Sequence, residues 1–335
     1  MNTPATPAHQ PTFDQLLGHI RQARQAVFAH VNTALIELYW SVGQVISEQV
    51  QRAAWGKGVV VELADYIARN APEVKGFSDK NQWRMKQFYE TYPEVENVAT
   101  LWRELSWSHN RLIMTLKSSE ERQFYLRLAV GERLSVRELE RQINSAQFER
   151  TMLGQQKLST VLRELHPAAG QVFKDSYVLE FLGLPEAHRE ADLQQALIRH
   201  MKDFVLELGK DFIFMGEEVR LQVGNQDFYL DLLFYHRGLS ALVAFELKIG
   251  TFSPEHLGQL NFYLEALDRD VKKPHENPSI GVLLCRDHDQ EVVEYALSRN
   301  LSPALIAQYQ RQLPDKKLLQ ERLRELLRRE LPEVG

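Results

Sequence analysis

Asp231, Glu246 and Lys248 are two acids and a lysine that interrupt an apolar, strand-like pattern between residues 231 and 248. Charged residues are rare in buried strands unless they are paired or hold a metal. Two carboxylates that converge repel each other unless a cation sits between them. Oxygen ligands alone select a hard ion, Mg²⁺ with Mn²⁺ as a substitute. Such an ion polarises a phosphoryl oxygen, generates a nucleophilic water and stabilises the leaving oxygen. A lysine alongside can position that water or neutralise developing charge. The backbone carbonyl of Leu247, between Glu246 and Lys248, could supply a further ligand. These residue types suit metal-dependent phosphodiester hydrolysis. The plainer alternative is a structural ion pair of Lys248 with Glu246 or Asp231, since Glu-X-Lys is common by chance.

The elements that must position them are two strands, 228–235 and 241–249, joined around Arg237-Gly238. A tight turn would pair 236 with 239 and set Asp231 opposite Ala244. A four-residue loop would pair 236 with 241 and set Asp231 opposite Glu246. In either register Asp231, Glu246 and Lys248 share one sheet face, because side chains alternate with period two. Leu230, Leu232 and Phe234 then join Val243, Phe245 and Leu247 on an apolar face that supplies the core. Around this hairpin the pattern predicts a helix over 193–209, a strand over 218–223, a helix over 254–267 with Ser253 as N-cap, a strand over 279–285 and a helix over 291–299. The order is helix, three strands, helix, strand.

The preceding half reads as helices over 13–51, 59–70, 79–92, 111–117, 119–131 and 135–150, from apolar residues at helical spacing. Ser135 with Glu138 forms a capping signature. The helices 59–70 and 79–92 flank a turn at Gly76. They could form a helix-turn-helix whose second member turns Lys80, Asn81, Gln82, Arg84, Lys86 and Gln87 toward phosphates or base edges. A polar helical hairpin without that role is the plainer reading. The arginines at 122, 127, 133, 137, 141 and 150 read as a solvated, salt-bridged surface, with a nucleic-acid-facing surface as the sharper alternative. His109, beside Trp107, reads as a packed group. Tyr229 and Phe228 read as packing rather than base stacking, while His236 and Arg237 occupy a hairpin tip that could be a solvated turn or could touch phosphate. Arg220 could line the site near phosphate. Residues 151–185 read as a connection.

With 335 residues, two domains are the expectation: a disordered tail over 1–12, a helical domain over 13–165 and a second domain over 170–335 with a C-terminal helix. The net charge of -5 gives no sign of a nucleic-acid binder, although a local basic surface would suffice. A single cysteine, Cys285, excludes an intrachain disulfide framework and reads as a buried thiol. No apolar stretch approaches a membrane span, and the first residues lack a secretory signal, so a cytoplasmic protein is expected. The C-terminal leucines at 318, 319, 323, 326 and 327 could pack on the core or on a second copy of the chain.

Asp231 followed by Glu246-Leu247-Lys248, within helix-strand-strand-strand-helix-strand, resembles the PD-(D/E)XK nuclease superfamily. Gln259-Leu-Asn-Phe-Tyr263 on the next helix is similar to the Gln-x-x-x-Tyr motif of its RecB-like branch. The resemblance extends to the YhcG family through Tyr39-Trp40-Ser-Val-Gly43, Trp55-Gly56, Gly76-Phe77-Ser78, Ser106-Trp107-Ser108-His109, Tyr177 to Gly183, Asp227 to His236 and Pro278 to Cys285. It implies a helical N-terminal domain followed by a restriction-endonuclease-like αβββαβ core with a mixed sheet, α+β overall. It further implies Asp231 and Glu246 as metal ligands, Gln259 and Tyr263 as site residues, and Glu207 as an auxiliary acid on the helix before the sheet. Leu230 stands where the motif's proline would be.

The expected activity is hydrolysis of nucleic acid, DNA before RNA, by an Mg²⁺-dependent site of Asp231, Glu246, Lys248, Gln259 and Tyr263. The alternative from another class is a catalytically inactive module for binding or assembly on the same fold.

Overall fold

The computed structural model describes residues 32–52, 57–73, 75–92, 101–154, 156–209 and 211–330. The expected tail, the first part of the 13–51 helix, Trp55-Gly56 and Pro93 lie outside the described residues. The chain forms two compact units, Met1–Glu140 and Arg141–Gly335.

The first unit holds α1 (32–51), α2 (Lys57–Asn70), α3 (Asp79–Thr91), α4 (Leu101–Glu104), α5 (Trp107–Ile113), α6 (Ser119–Gly131) and most of α7 (Val136–Asn144). In α1 the buried positions are Ile36, Tyr39, Gly43, Ile46 and Ser47, a narrow stripe at three- and four-residue spacing. Leu35 and Leu38 fall off that stripe and are exposed. Gly43 lets α1 touch α3: a Cβ there would lie 2.0 Å from the Met85 carbonyl oxygen. Phe88 of α3 packs edge-on against Trp102 and Trp107, at 5.2 and 5.3 Å. Ser78 accepts from the Asn81 N–H and caps α3. At α7 the Ser135 N–H donates to Glu138 and the Glu138 N–H to Ser135, so both halves of the capping signature form.

The expected 135–150 helix breaks at Ala146, whose φ is +53°. There α7 gives way to α8 (Gln147–Leu153), followed by β1 (Lys157–Leu158), α9 (Thr160–Leu165), α10 (Ala169–Val172) and β2 (Ser176–Val178). Then come α11 (Glu190–Arg199), α12 (Met201–Leu208), β3 (Phe212–Val223), β4 (Gln226–His236), β5 (Ala241–Thr251), α13 (Glu255–Ala266), β6 (Asn277–Asp287), α14 (Gln290–Ser298), β7 (Ala304–Gln310) and α15 (Lys316–Glu330). The single helix expected over 193–209 is two helices with a break at His200. The 151–185 connection contributes two short strands, and β7 is a strand the apolar pattern did not single out.

The sheet runs β1-β7-β6-β5-β4-β3, with β2 parallel to β7. β3, β4 and β5 are antiparallel neighbours, while β5, β6 and β7 are parallel. The αβββαβ order and mixed sheet are therefore present, behind a helical N-terminal unit. Helices cover both faces, as parallel strands require. Leu232, Phe234, Val243, Phe245 and Leu247 pack with Leu193, Leu197, Phe204 and Leu208 on one side. Leu233, Leu242, Ala244 and Leu283 pack with Leu257, Leu260, Leu264 and Val293 on the other.

This corrects the expectation of one apolar and one polar face. Both faces are core, and Asp231, Glu246 and Lys248 do not belong to a separate polar face. Leu230 packs with the second group rather than with Leu232 and Phe234. The change of side occurs beside Asp231, where the neighbouring strand carries Glu218 at φ +45°, a backbone conformation uncommon outside glycine. α15 docks on α8 of the same unit, with Gln320 donating to Glu149 at 2.9 Å. Among the described residues no helix is long and apolar enough to cross a membrane.

Candidate active site

β4 and β5 adopt the longer-loop register, with His236 opposite Ala241 and Leu232 opposite Phe245. The ladder is continued at the next position by a side chain: Asp231 Oδ2 accepts from the Leu247 N–H at 2.8 Å. The Asp231 carbonyl accepts from Gln194 of α11 at 3.3 Å. Its carboxylate is thus fixed against β5, beside Glu246. Glu246 is 2% exposed. Its Oε1 accepts from Lys248 Nζ at 2.9 Å, and its Oε2 is buried with no hydrogen-bond partner. Lys248 Nζ also lies 3.5 Å from Glu190 Oε2, at the start of α11.

Lys248 compensates the negative charge here only in part. Burial, reinforced by the Asp231 charge, pushes Glu246 up to about 7 against the pull of Lys248. Burial likewise raises Asp231, opposed by the Leu247 N–H and Lys248. Lys248 is raised despite its own burial because Glu246, Glu190 and Asp231 all favour its charged form. On α13, Gln259 donates to the Tyr263 hydroxyl at 2.8 Å. Burial raises Tyr263, and Glu246 and Asp231 add to that rise.

A buried carboxylate oxygen without a donor is costly unless a cation meets it. The pair presents hard oxygen donors and one such orphan, and therefore fits a divalent ion. Among the described residues no group of three or more His, Cys, Asp or Glu side chains is gathered to hold one, so the fit rests on the pair.

Residues 170–325 match the family model described as the YhcG PDDEXK nuclease domain, and residues 15–150 match the DUF1016 N-terminal domain. The chain is 33% identical over 355 residues to "Putative nuclease YhcG" of Escherichia coli (strain K12), across 95% of this chain and 94% of that protein. The chain belongs to the YhcG family. The crystal structure of a repair endonuclease from Pyrococcus abyssi aligns at 14% identity, over 39% of this chain and 50% of that chain. Its TM-score of 0.26 is too low to carry argument.

Within this YhcG-family chain the structure brings together Asp231, Glu246, Leu247 and Lys248. Tyr263 senses the charges of Glu246, Asp231 and Lys248, and Gln259 is hydrogen-bonded to Tyr263. Glu207 does not join them. It is fully buried, with Arg141 at 2.9 Å, Arg150 at 3.5 Å, Lys174 at 3.4 Å and the Val178 N–H at 3.0 Å. Burial would raise its carboxyl, but these three cations hold it down at about 2. Arg141 and Arg150, expected on a solvated surface, are instead two of the three cations of this cluster. Arg220 is exposed on edge strand β3, its guanidinium 2.9 Å from Asp227 at the neighbouring turn. Lys80 and Arg84 lie on α3 of the first unit.

Two other candidates on α3 are used internally. Asn81 donates to the Gly76 carbonyl and accepts from Trp107, and Gln82 is buried on the Phe77 carbonyl. His109 is hydrogen-bonded at both ring nitrogens, to Ser106 and to the Leu134 carbonyl. His236 is buried and accepts from the Leu239 N–H, so it closes the hairpin instead of facing solvent. Tyr229 is exposed rather than packed. Cys285 is buried, its thiol pushed up to about 12.

Sequence reasoning missed Glu190, Gln194 and Glu218. Glu190 is an acid in the first turn of the helix before the sheet, a pattern shared by most helices. Its meaning appears only when α11 is laid along β5. Glu218 acts on Asp231 as a like charge.

Proposed function

We propose that this chain is a divalent-metal-dependent nuclease that hydrolyses phosphodiester bonds in DNA, with Asp231, Glu246 and Lys248 at its centre. The observation that carries this reading is the orphaned, buried Oε2 of Glu246 beside Asp231, with Lys248 on the other oxygen. Family membership supports it, since the matched domain is described as a nuclease domain and the relative as a nuclease. The Gln259 and Tyr263 pair on α13 supports DNA through its likeness to the RecB-like branch.

Asp231 and Glu246, with the Leu247 carbonyl, would hold Mg²⁺ or Mn²⁺, which supplies Lewis-acid polarisation and a water of lowered pKa. The rest falls to the chain's own residues. The Leu247 N–H fixes the Asp231 carboxylate through Oδ2. Lys248 is kept charged by three acids and stabilises negative charge that develops on the phosphorus centre. Glu190 is a second acid on Lys248, at 3.5 Å, and Gln259 and Tyr263 orient the site from α13. The helical unit is read as binding nucleic acid or a partner, with Lys80 and Arg84 on phosphates.

The test is incubation with linear, circular, single-stranded and branched DNA, and with RNA, in Mg²⁺ and in Mn²⁺. Wild type, Asp231→Ala and Lys248→Ala are run side by side. Metal-dependent cleavage by wild type that is lost in both variants is expected. Undiminished cleavage by both would sink the assignment, and cleavage of RNA alone would replace the substrate.

A further inference from the structure

We infer that His256, on the first turn of α13, is a neutral hydrogen-bond donor to substrate phosphate at this site. The inference rests on the nuclease reading above and adds a residue to it. The Ser253 N–H donates to His256 Nδ1 at 3.2 Å. A backbone N–H can only donate, so Nδ1 must be bare and the ring proton must sit on Nε2. The tautomer is therefore fixed by the main chain. This bond also replaces the expected cap, because α13 begins after Pro254 and has no side-chain cap of the usual kind.

The charges that act on the His256 ring are Lys248, Glu190 and Glu255. Two of these are the partners of the 3.5 Å pair at the edge of the candidate site. Burial and Lys248 outweigh the two acids and keep the imidazole neutral. A neutral Nε2–H in the field of Lys248 supplies a donor that carries no charge of its own. It offers phosphate a donor without adding a second cation that would compete with Lys248 for Glu246 and Glu190. His256 also precedes Gln259 by three residues, so one side of α13 presents His256, Gln259 and Tyr263 in succession.

A structural reading, in which His256 only caps α13, makes the opposite prediction for two variants. Asn at this position can accept from the Ser253 N–H but has no donor where Nε2 was. Gln reaches the Nε2 position with an amide donor but does not supply the cap. The probes are labelled DNA oligonucleotides, single- and double-stranded, and an RNA oligonucleotide. Affinity is measured by fluorescence anisotropy in Ca²⁺ with the full chain, with thermal unfolding recorded in parallel. His256→Asn is expected to bind about tenfold more weakly with unchanged unfolding, as loss of one bond to a charged group implies. His256→Gln is expected to bind within about threefold of wild type while unfolding earlier. Wild-type affinity in His256→Asn, or equal weakening in both variants, overturns the donor role and leaves the nuclease reading standing. Failure of wild type to bind or cut any of the probes overturns both.

Discussion

Glu207 and Glu246 belong to the same unit and are both removed from water, yet their surroundings are opposite. Three cations and a backbone N–H converge on Glu207, and its carboxyl titrates near 2. Glu246 has one lysine, a neighbouring aspartate and an oxygen with no partner, and titrates near 7. A buried acid that is over-neutralised has nothing left to bind, and its energy goes into joining elements: α7, α8, β2 and α12 meet at Glu207. A buried acid left under-neutralised is costly in isolation and can recover that cost from an added cation. The contrast separates a structural carboxylate from a candidate metal ligand in one unit, where sequence alone had assigned both to the same ion.

The strongest way to break this comparison is to neutralise each acid. Glu246→Gln is expected to lower metal-dependent cleavage by about 10²–10³-fold or more, as for loss of a group that organises transition-state charge. Its metal-free unfolding free energy should hold steady or rise, because a repelled charge is removed. Activity assays and chemical denaturation of the same preparation check both halves. A large loss of stability with activity intact would reverse the roles of the two glutamates.

Glu207→Gln should behave the other way. Arg141, Arg150 and Lys174 would lose their shared anion, and breaking a buried pair from one side costs about 3–5 kcal/mol. Arg141 retains Glu180 at 3.1 Å, which places the loss toward the lower end. Denaturant unfolding measures it. Metal affinity, by calorimetry on whatever fraction remains folded, should not change; a lost metal site would return Glu207 to the ligand set.

Acidity gives a third separation, with opposite signs. Glu207 is depressed from 4.5 to about 2, so its contribution is complete above 4.5 and disappears as pH falls through that interval. Glu246 is raised from 4.5 to about 7, so the metal-free folded state holds an extra proton in that interval. Stability therefore declines as pH rises from 4.5 to 7, by up to ~1.4 kcal/mol per unit. Saturating Mn²⁺ should flatten the upper slope and leave the lower one. Unfolding free energies from about pH 2 to pH 8, with and without the ion, test both intervals; an upper slope that survives in Glu246→Gln would assign it to another group.

Much of the site was legible because a hairpin is a local object. The apolar runs fixed two strands, and period-two alternation set Asp231 near Glu246 in either register. The two candidate turns left the register open, and the structure takes the longer one. What was not legible depends on long-range packing. Glu207 and Glu190 stand on successive helices before the sheet, and either could have faced the metal pair. Arg141 and Arg150 look like surface arginines until α7, α8 and β2 enclose them. The strand β7 gave no alternating signal because it is buried on both faces and pairs with β6 in parallel. Leu230 kept to the wrong face in the sequence reading because strict alternation was assumed through a position that a positive φ on the adjacent strand interrupts.

The finest test asks whether Asp231 and Glu246 sense each other. Asp231→Asn removes a charge while its side-chain oxygen can still accept from the Leu247 N–H, so the backbone arrangement should persist. Burial is the larger cause of the Glu246 rise and remains in place; the Asp231 charge is the second and is lost. The Glu246 carboxyl should therefore titrate lower than about 7 but still above 4.5, and the interval in which stability declines should shrink from its upper end. A carboxyl-carbon NMR titration of Glu246 reads this directly. An unmoved titration would mean that burial alone sets the Glu246 proton. The two acids would then be neighbours in sequence register without forming the electrostatic pair that a divalent ion requires.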